Sequence, residues 1–127
     1  MAYSQEHSFP IVFCAAGAPV TAQFMYPGWV AMTANEVQIT MPVKCRLANM
    51  SGNHRVAAGG GLAVAYTVRV NAVASAATIT ITDPATEAEW EGQVDIAAND
   101  EISVTAVSAN VGATVDVTVA LRFLIWM

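Results

Sequence analysis

Residues 113–123 read Ala-Thr-Val-Asp-Val-Thr-Val-Ala-Leu-Arg-Phe, and this alternation of apolar and polar residues indicates the fold class. A period of two places the apolar side chains on one face of an extended chain and a mostly polar set on the other. The apolar members are Val115, Val117, Val119, Leu121 and Phe123. One apolar face and one polar face are typical of a strand in an antiparallel sheet that is wetted on one side.

The same alternation recurs along the chain, separated by turn signals rich in Gly, Pro, Asn and Asp. Residues 36–51 form the longest run, in which Pro42 indicates an edge, a bulge or a bend that splits it in two. Residues 51–54 (Ser-Gly-Asn-His) are predicted to be a turn. The other strand candidates are residues 9–14, 62–73, 77–82, 87–98 and 101–108.

These patterns predict an all-β fold with seven to nine strands and no helix. Short strands spaced by turns favour a sandwich or a barrel, and eight strands in two sheets make a jelly roll. We therefore predict a jelly-roll-like antiparallel β-sandwich of about eight strands. The 127 residues form a single domain, with residues 1–8 as an N-terminal arm because they are polar and aperiodic.

The composition points to an assembly subunit. Hydrophobic residues make up 55% of the chain and charged residues 12%, against about 25% charged in an average soluble domain. Much of the surface must then be uncharged, and soluble proteins commonly cover such surface with partners.

Several classes of partner are disfavoured by the same counts. The net charge is −5 with only 5 Lys and Arg residues, so no basic groove for nucleic acid is expected. No run of about 18 apolar residues exists to span a membrane. The N-terminus lacks the pattern of a secretion signal, which favours synthesis in a cytosol. Cys14 and Cys45 are predicted to be buried thiols, with a disulfide between them left open.

Little catalytic chemistry is visible. His7 lies in the predicted arm and His54 in the predicted turn, and neither has the spacing of a zinc site. No nucleophile elbow or phosphate-binding loop occurs, so we expect neither an enzyme nor a cofactor. One group of acids, Asp83, Glu87, Glu89 and Glu91, has three interpretations: solvated charges, a patch for a basic partner, or a calcium site.

Four segments carry a family resemblance. They are residues 66–71 (Tyr-Thr-Val-Arg-Val-Asn), 78–82 (Thr-Ile-Thr-Ile-Thr), 94–104 and 116–123. Their order resembles the C-terminal pattern of small jelly-roll proteins of tailed-phage virions, such as capsid decoration (cement) proteins and head fibres. The resemblance implies a non-enzymatic structural protein that binds the major capsid protein, forms a homotrimer, and lies on the capsid exterior after synthesis in the host cytoplasm.

Partner-binding residues are expected in three apolar or aromatic stretches: the first segment, which Pro10 marks as an edge strand or an extended arm, the loop around Pro27-Gly28, and the C-terminal end. The candidates are Phe9, Ile11 and Phe13 in the first segment, Phe24, Tyr26 and Trp29 around Pro27-Gly28, and Leu124 and Trp126 at the C-terminus. Aromatic residues are frequent anchors in interfaces, although they are equally ordinary core residues. The alternative function is a receptor- or carbohydrate-binding module of a phage tail or fibre, in which Trp29 stacks on sugars.

Overall fold

The computed structural model describes residues 6–17, 23–108 and 115–126. In chain order the strands are β1 (Glu6–Ala15), β2 (Gln23–Phe24), β3 (Pro27–Val30), β4 (Ile39–Thr40), β5 (Cys45–His54), β6 (Ala63–Val70), β7 (Val73–Thr82), β8 (Glu87–Ile96), β9 (Glu101–Ser108) and β10 (Val117–Trp126). No helix occurs among these described residues.

The strands form two sheets. Sheet A has the order β3-β1-β10-β5-β8, and sheet B has the order β2-β9-β6-β7. Strand β4 also pairs with β9, at a different stretch from β2, so these two short strands together fill one position at the edge of sheet B. All pairings are antiparallel except that of β1 with β3. The first long strand lies beside the last, as in a jelly roll, and the predicted fold class is confirmed.

The core lies between the two sheets and follows the alternation of the sequence. In β10, Val117, Val119 and Phe123 are 0% exposed and Leu121 is 1% exposed, while the alternate residues Thr118, Ala120 and Arg122 point outward. Sheet B contributes Val64, Tyr66 and Val68 from β6, also 0% exposed. Burying each such side chain stabilises the fold by roughly 1.5–3 kcal/mol. Removing apolar area from water therefore drives the two layers together.

Several strand boundaries differ from those predicted. Strand β10 begins at Val117 and continues through the apolar end to Trp126, and residues 113–114 lie outside the described part. The run at residues 36–51 is divided around Pro42 into β4 and β5, as its proline indicated. Strand β1 begins at Glu6, so residues 6–8 of the predicted arm belong to a strand; residues 1–5 lie outside the described part.

The predicted turn at residues 51–54 is wrong. These residues form the end of β5, where they pair with both β10 and β8. A separate turn, which joins β6 to β7, lies at Asn71-Ala72 within the predicted strand 62–73, and both residues have positive φ angles (51° and 64°). Two successive left-handed residues make the tight hairpin that suits the twist of β-strands. The tertiary pairing of β5 outweighed its local turn composition.

Candidate functional site: the outer faces of the two sheets

The outer face of sheet B is built from small uncharged side chains in register. One row across β7, β6 and β9 contains Thr80, Ala65 and Val107, and the next contains Thr78, Thr67 and Thr105. Val107 is 51% exposed. We call this surface the uncharged face; it comprises Ala63, Ala65, Thr67, Thr78, Thr80, Thr82, Thr105 and Val107.

A neutralised cluster bounds one end of the uncharged face. The Arg69 guanidinium lies 5.6 Å from the ring centroid of Phe24, and its Nε lies 3.1 Å from a Glu36 carboxylate oxygen. The Ser103 hydroxyl donates to the same carboxylate. Arg69 thus contacts an aromatic ring and a carboxylate at the same time, so its positive charge is balanced by Glu36 and stabilised by the ring of Phe24. Phe24, a predicted partner-binding residue, is half-buried in this cluster.

The outer face of sheet A has the opposite character. Its edge strand β8 points Glu87, Glu89 and Glu91 outward, all of them exposed. The Asn49 amide donates to Glu89 at 3.0 Å. Next to these acids, a groove of about 520 Å³ crosses β10, β5 and β8, lined by Ser51, Gly52, Asn53, Glu87, Ala88, Glu89, Thr118 and Ala120. The same face also carries Arg122 and Arg46, the second of which is paired with Asp95 at 2.8 Å, so this face is charged with an excess of acids, whereas the face of sheet B is uncharged.

Asp83 does not belong to the acidic edge of β8. Its two carboxylate oxygens accept hydrogen bonds from the backbone amides of Gly59 and Gly61, each at 3.0 Å. Gly59, Gly60 and Gly61 have φ angles of 82°, 61° and 70°, a left-handed run that residues with side chains rarely adopt. Successive amides in such a loop converge on an anion. The Asp83 carboxylate is this anion, and it stabilises the loop by accepting these two hydrogen bonds.

The acids predicted as one constellation are thus divided between a loop and a sheet face. Within the described ranges, no three His, Cys, Asp or Glu side chains are grouped so that they could hold a metal ion. The interpretation of Asp83, Glu87, Glu89 and Glu91 as a joint calcium site is not supported by this arrangement.

Three predicted partner-binding residues lie on the inner side of β1. The Phe9 ring stacks on Phe123 with centroids 5.3 Å apart. Ile11 is half-buried against the core, and Phe13 is 0% exposed within it. These side chains stabilise the contact between β1 and β10, because alternation turns them inward along the whole strand.

The other predicted residues are scattered around the sandwich. Tyr26 is 36% exposed, and its carbonyl accepts a hydrogen bond from the Cys14 amide. Leu124 is half-buried and pairs with Ser8 on β1. Trp29 and Trp126 lie in β3 and β10, and their side chains fall outside the described part. Those predicted side chains that the structure describes do not converge on one site, and partner binding by the set stays a prediction.

The buried pair His54 and Tyr66 was not foreseen. His54, which lies in the segment predicted to be a turn, is 2% exposed, and its Nε2 lies 2.7 Å from the Tyr66 hydroxyl. Burial lowers the pKa of His54 and raises the pKa of Tyr66. Both cysteines are free thiols; Cys45 is buried as predicted, whereas Cys14, also predicted to be buried, is only half-buried. Burial raises the pKa of Cys45.

No family model matches this sequence, and no curated protein matches it. Among solved structures, the chain is similar to one described as "Structure of infectious bursal disease virus Gx strain", with a TM-score of 0.45 and 9% identity. The match covers 98% of this chain and 32% of that one, so the chain spans less than two thirds of its neighbour's length. The jelly-roll assignment rests on strand order and pairing. No described helix is long and apolar enough to cross a membrane.

Proposed function

We propose that this chain is a non-enzymatic structural protein of a virion, which decorates the outer surface of the capsid. On the capsid surface it binds the major capsid protein and copies of itself, as a trimer, and stabilises the expanded head. The resemblance of residues 66–123 to phage decoration proteins directs the proposal to a capsid. The observation that carries it is the contrast between the uncharged face of sheet B and the acidic outer face of sheet A.

The two faces differ in what it costs to cover them. Burying an unpaired carboxylate is strongly unfavourable, whereas alanine and valine side chains carry no polar group, and a threonine hydroxyl costs far less to bury than a carboxylate. The uncharged face therefore suits contact with protein, and the acidic face suits contact with water. A ligand that binds only the expanded capsid stabilises that state by mass action.

The size of the uncharged face calls for additional contacts. Three strands about 4.8 Å apart, each contributing roughly six residues at about 3.4 Å rise, present a projected area of roughly 300 Å². A standard interface buries about 800 Å² per partner. We therefore assign further contact area to exposed apolar residues outside the face, of which Tyr26 and Val30 are 36% and 49% exposed.

The test compares virus particles that carry this chain with particles from which its gene has been deleted. Particles with the chain should withstand higher temperature before losing their genome, and the chain should cosediment with them. Val107→Lys places a charge on the uncharged face and should reduce occupancy at least about tenfold, the effect of roughly 1.4 kcal/mol. Gln38→Lys adds the same charge at an exposed position outside the face and should leave occupancy unchanged.

Two results would overturn the proposal. The first is that particles with and without the gene are equally stable to heat and that the chain does not cosediment with them. The second is that the wild type and Val107→Lys occupy the particles equally, because the uncharged face would then have no role in binding.

The groove on sheet A supports a second candidate, a carbohydrate-binding module. Hydroxyl, amide and carboxylate groups of Ser51, Asn53, Glu89 and Thr118 line it, and such groups can hydrogen-bond sugar hydroxyls. Trp29, the predicted stacking residue, lies on β3 at the opposite edge of the sheet from β8. A glycan array separates the candidates: binding that is lost in Glu89→Gln, with capsid attachment unaltered, favours this second function.

A further inference from the structure

Strand β7 forms a free edge of sheet B. In the described part of the chain, β6 is its only strand neighbour in the sheet. Residues 73–82 (Val-Ala-Ser-Ala-Ala-Thr-Ile-Thr-Ile-Thr) include no charged residue, no proline and no glycine. Beyond an irregularity near Ser75, the stretch Thr78–Thr82 runs in unbroken register beside β6. Such an edge presents unpaired backbone groups to any further strand.

The other sheet edges in the described residues carry features that discourage strand pairing. Strand β8 has three outward glutamates and an irregular register around Gly92. The open side of β1 contains Pro10 and is shared with β3 near Cys14. Strands β2 and β4 have only two residues each. Charges, prolines, bulges and short strands are the usual features that protect an edge strand from pairing. Strand β7 has neither a charged residue nor a proline.

We propose that β7 pairs with β7 of a second copy of this chain, antiparallel and about a two-fold axis. A strand that extends sheet B here must present apolar side chains toward the core and uncharged polar ones outward. Strand β7 itself has this pattern: Ala77, Ile79 and Ile81 are buried, whereas Thr78, Thr80 and Thr82 are exposed.

The pairing is self-complementary in both chemistry and charge. An antiparallel pair of identical strands makes the same contacts twice, as an isologous interface requires. Thr78, Thr80 and Thr82 then face threonines of the second copy across the pair, and threonine pairs stabilise neighbouring strands. Each chain carries a net charge of −5, yet no charge lies within β7, so the joined strands avoid like-charge repulsion.

This contact does not depend on the proposed function, and it is distinct from a trimer contact. A two-fold pair through β7 leaves Val107, on the far side of the uncharged face, outside the interface. The purified full chain is therefore enough to test it, whereas capsid decoration is measured on particles. If the β7 dimer is not found, capsid decoration is not contradicted, and if capsid decoration fails, the β7 dimer is not contradicted.

The test combines sedimentation velocity with hydrogen exchange measured by mass spectrometry, over a wide range of concentrations. We expect a dimer that grows with concentration, together with slower exchange of amides within residues 77–82. Thr80→Lys should abolish the dimer and the slowing, because lysine protects exposed edges without disturbing the fold. Val107→Lys and Gln38→Lys should retain both, and circular dichroism checks that each variant is folded.

Thr82→Lys provides a second edge variant and should behave as Thr80→Lys does. A monomer at every concentration overturns the proposal. So does a dimer whose β7 amides exchange at an unchanged rate, or one lost only in Val107→Lys, since the copies would then associate through the uncharged face. If β7 is protected only when another protein is present, the occupant is a foreign strand and the proposal is equally overturned.

Discussion

His54 and Tyr66 join the two sheets through a buried polar contact, with His54 Nε2 2.7 Å from the Tyr66 hydroxyl oxygen. His54 ends β5 in sheet A, and Tyr66 lies in the middle of β6 in sheet B. The His54 Nδ1 atom is buried without a hydrogen-bond partner among the described residues. The contact therefore satisfies one of two ring nitrogens inside an otherwise apolar core.

Replacing Tyr66 by phenylalanine should destabilise the fold although it removes only one oxygen. Without the hydroxyl, His54 Nε2 loses its hydrogen-bond partner on Tyr66, and an unsatisfied buried polar group costs about 1–3 kcal/mol. Urea unfolding measures the change. Tyr26→Phe removes a hydroxyl from a side chain that is 36% exposed and should change stability by less than about 0.5 kcal/mol. Equal effects of the two variants would contradict the assigned role of the contact.

Stability should decrease as the pH falls below about 6.5, the pKa of an unperturbed histidine. Burial lowers the pKa of His54 in the folded chain, so between that lowered pKa and about 6.5 the unfolded state binds more protons than the folded state. The contribution is complete above about 6.5 and is lost as the pH falls through the folded pKa. His54→Gln should flatten this part of the profile of unfolding free energy against pH.

The carboxylates of Asp100 and Asp116 should cause a second decrease in the unfolding free energy, at a lower pH than the decrease due to His54. The Asn71 amide lowers the pKa of Asp100, and the Gly17 amide lowers that of Asp116. Both are charged in the folded state at pH values where unfolded aspartate, with a pKa of about 3.9, takes up a proton. Their stabilisation is present above about pH 4 and is lost below it. If the unfolding free energy of His54→Gln depends on pH just below pH 6.5 as steeply as that of the wild type, the assignment to the histidine is contradicted.

Most of the fold could be predicted because side-chain alternation is a local property. The period of two placed Val117, Val119 and Phe123 on one face, and the structure buries all three. The end of β5 could not be predicted in this way. Gly52 and Asn53 are typical turn residues, yet Gly52 lies where an added Cβ would collide with Ile79 of the facing sheet. That requirement for close approach comes from the packing of β5 on β7, which the local sequence does not show.

The surface was less predictable than the core. Aromatic residues indicated partner binding, but Phe9, Phe13 and Phe24 pack within the chain or against Arg69. The uncharged face went unrecognised because its members come from three strands that are distant in sequence, and only the register of β7, β6 and β9 assembles them. The sequence signal that could have indicated this face is the run of threonines at alternate positions in residues 78–82, which the structure exposes.

Asp83→Ala should loosen the glycine loop. The carboxylate is the acceptor for the Gly59 and Gly61 amides, and the loop has three consecutive left-handed residues. Losing hydrogen bonds to a charged acceptor costs about 1.5–3 kcal/mol in total. We expect faster hydrogen exchange within residues 57–62, with Asp83→Asn intermediate because one acceptor oxygen remains. Glu91→Ala, which removes an exposed acid from β8, is the control; equal exchange in all variants would contradict the role of Asp83.

Gly92→Ala tests the close packing of β8 around its own tryptophan. A Cβ on residue 92 would lie 2.5 Å from Trp90 Cζ2 and 3.1 Å from Cε2, so the half-buried ring would have to move. Forcing a rigid side chain out of a packed site costs about 1–3 kcal/mol. A Cβ on Gly28 would meet no atom within 4 Å, and Gly28→Ala should have little effect on the urea midpoint.

A double-mutant cycle decides whether the ring is the cause. In a Trp90→Leu background the clash is absent, so adding Gly92→Ala should cost almost nothing, and the difference between the two backgrounds measures the interaction. If Gly92→Ala destabilises the protein equally with and without the tryptophan, the glycine is required for the backbone of the β8 bulge, and the Trp90 ring is not the reason for it.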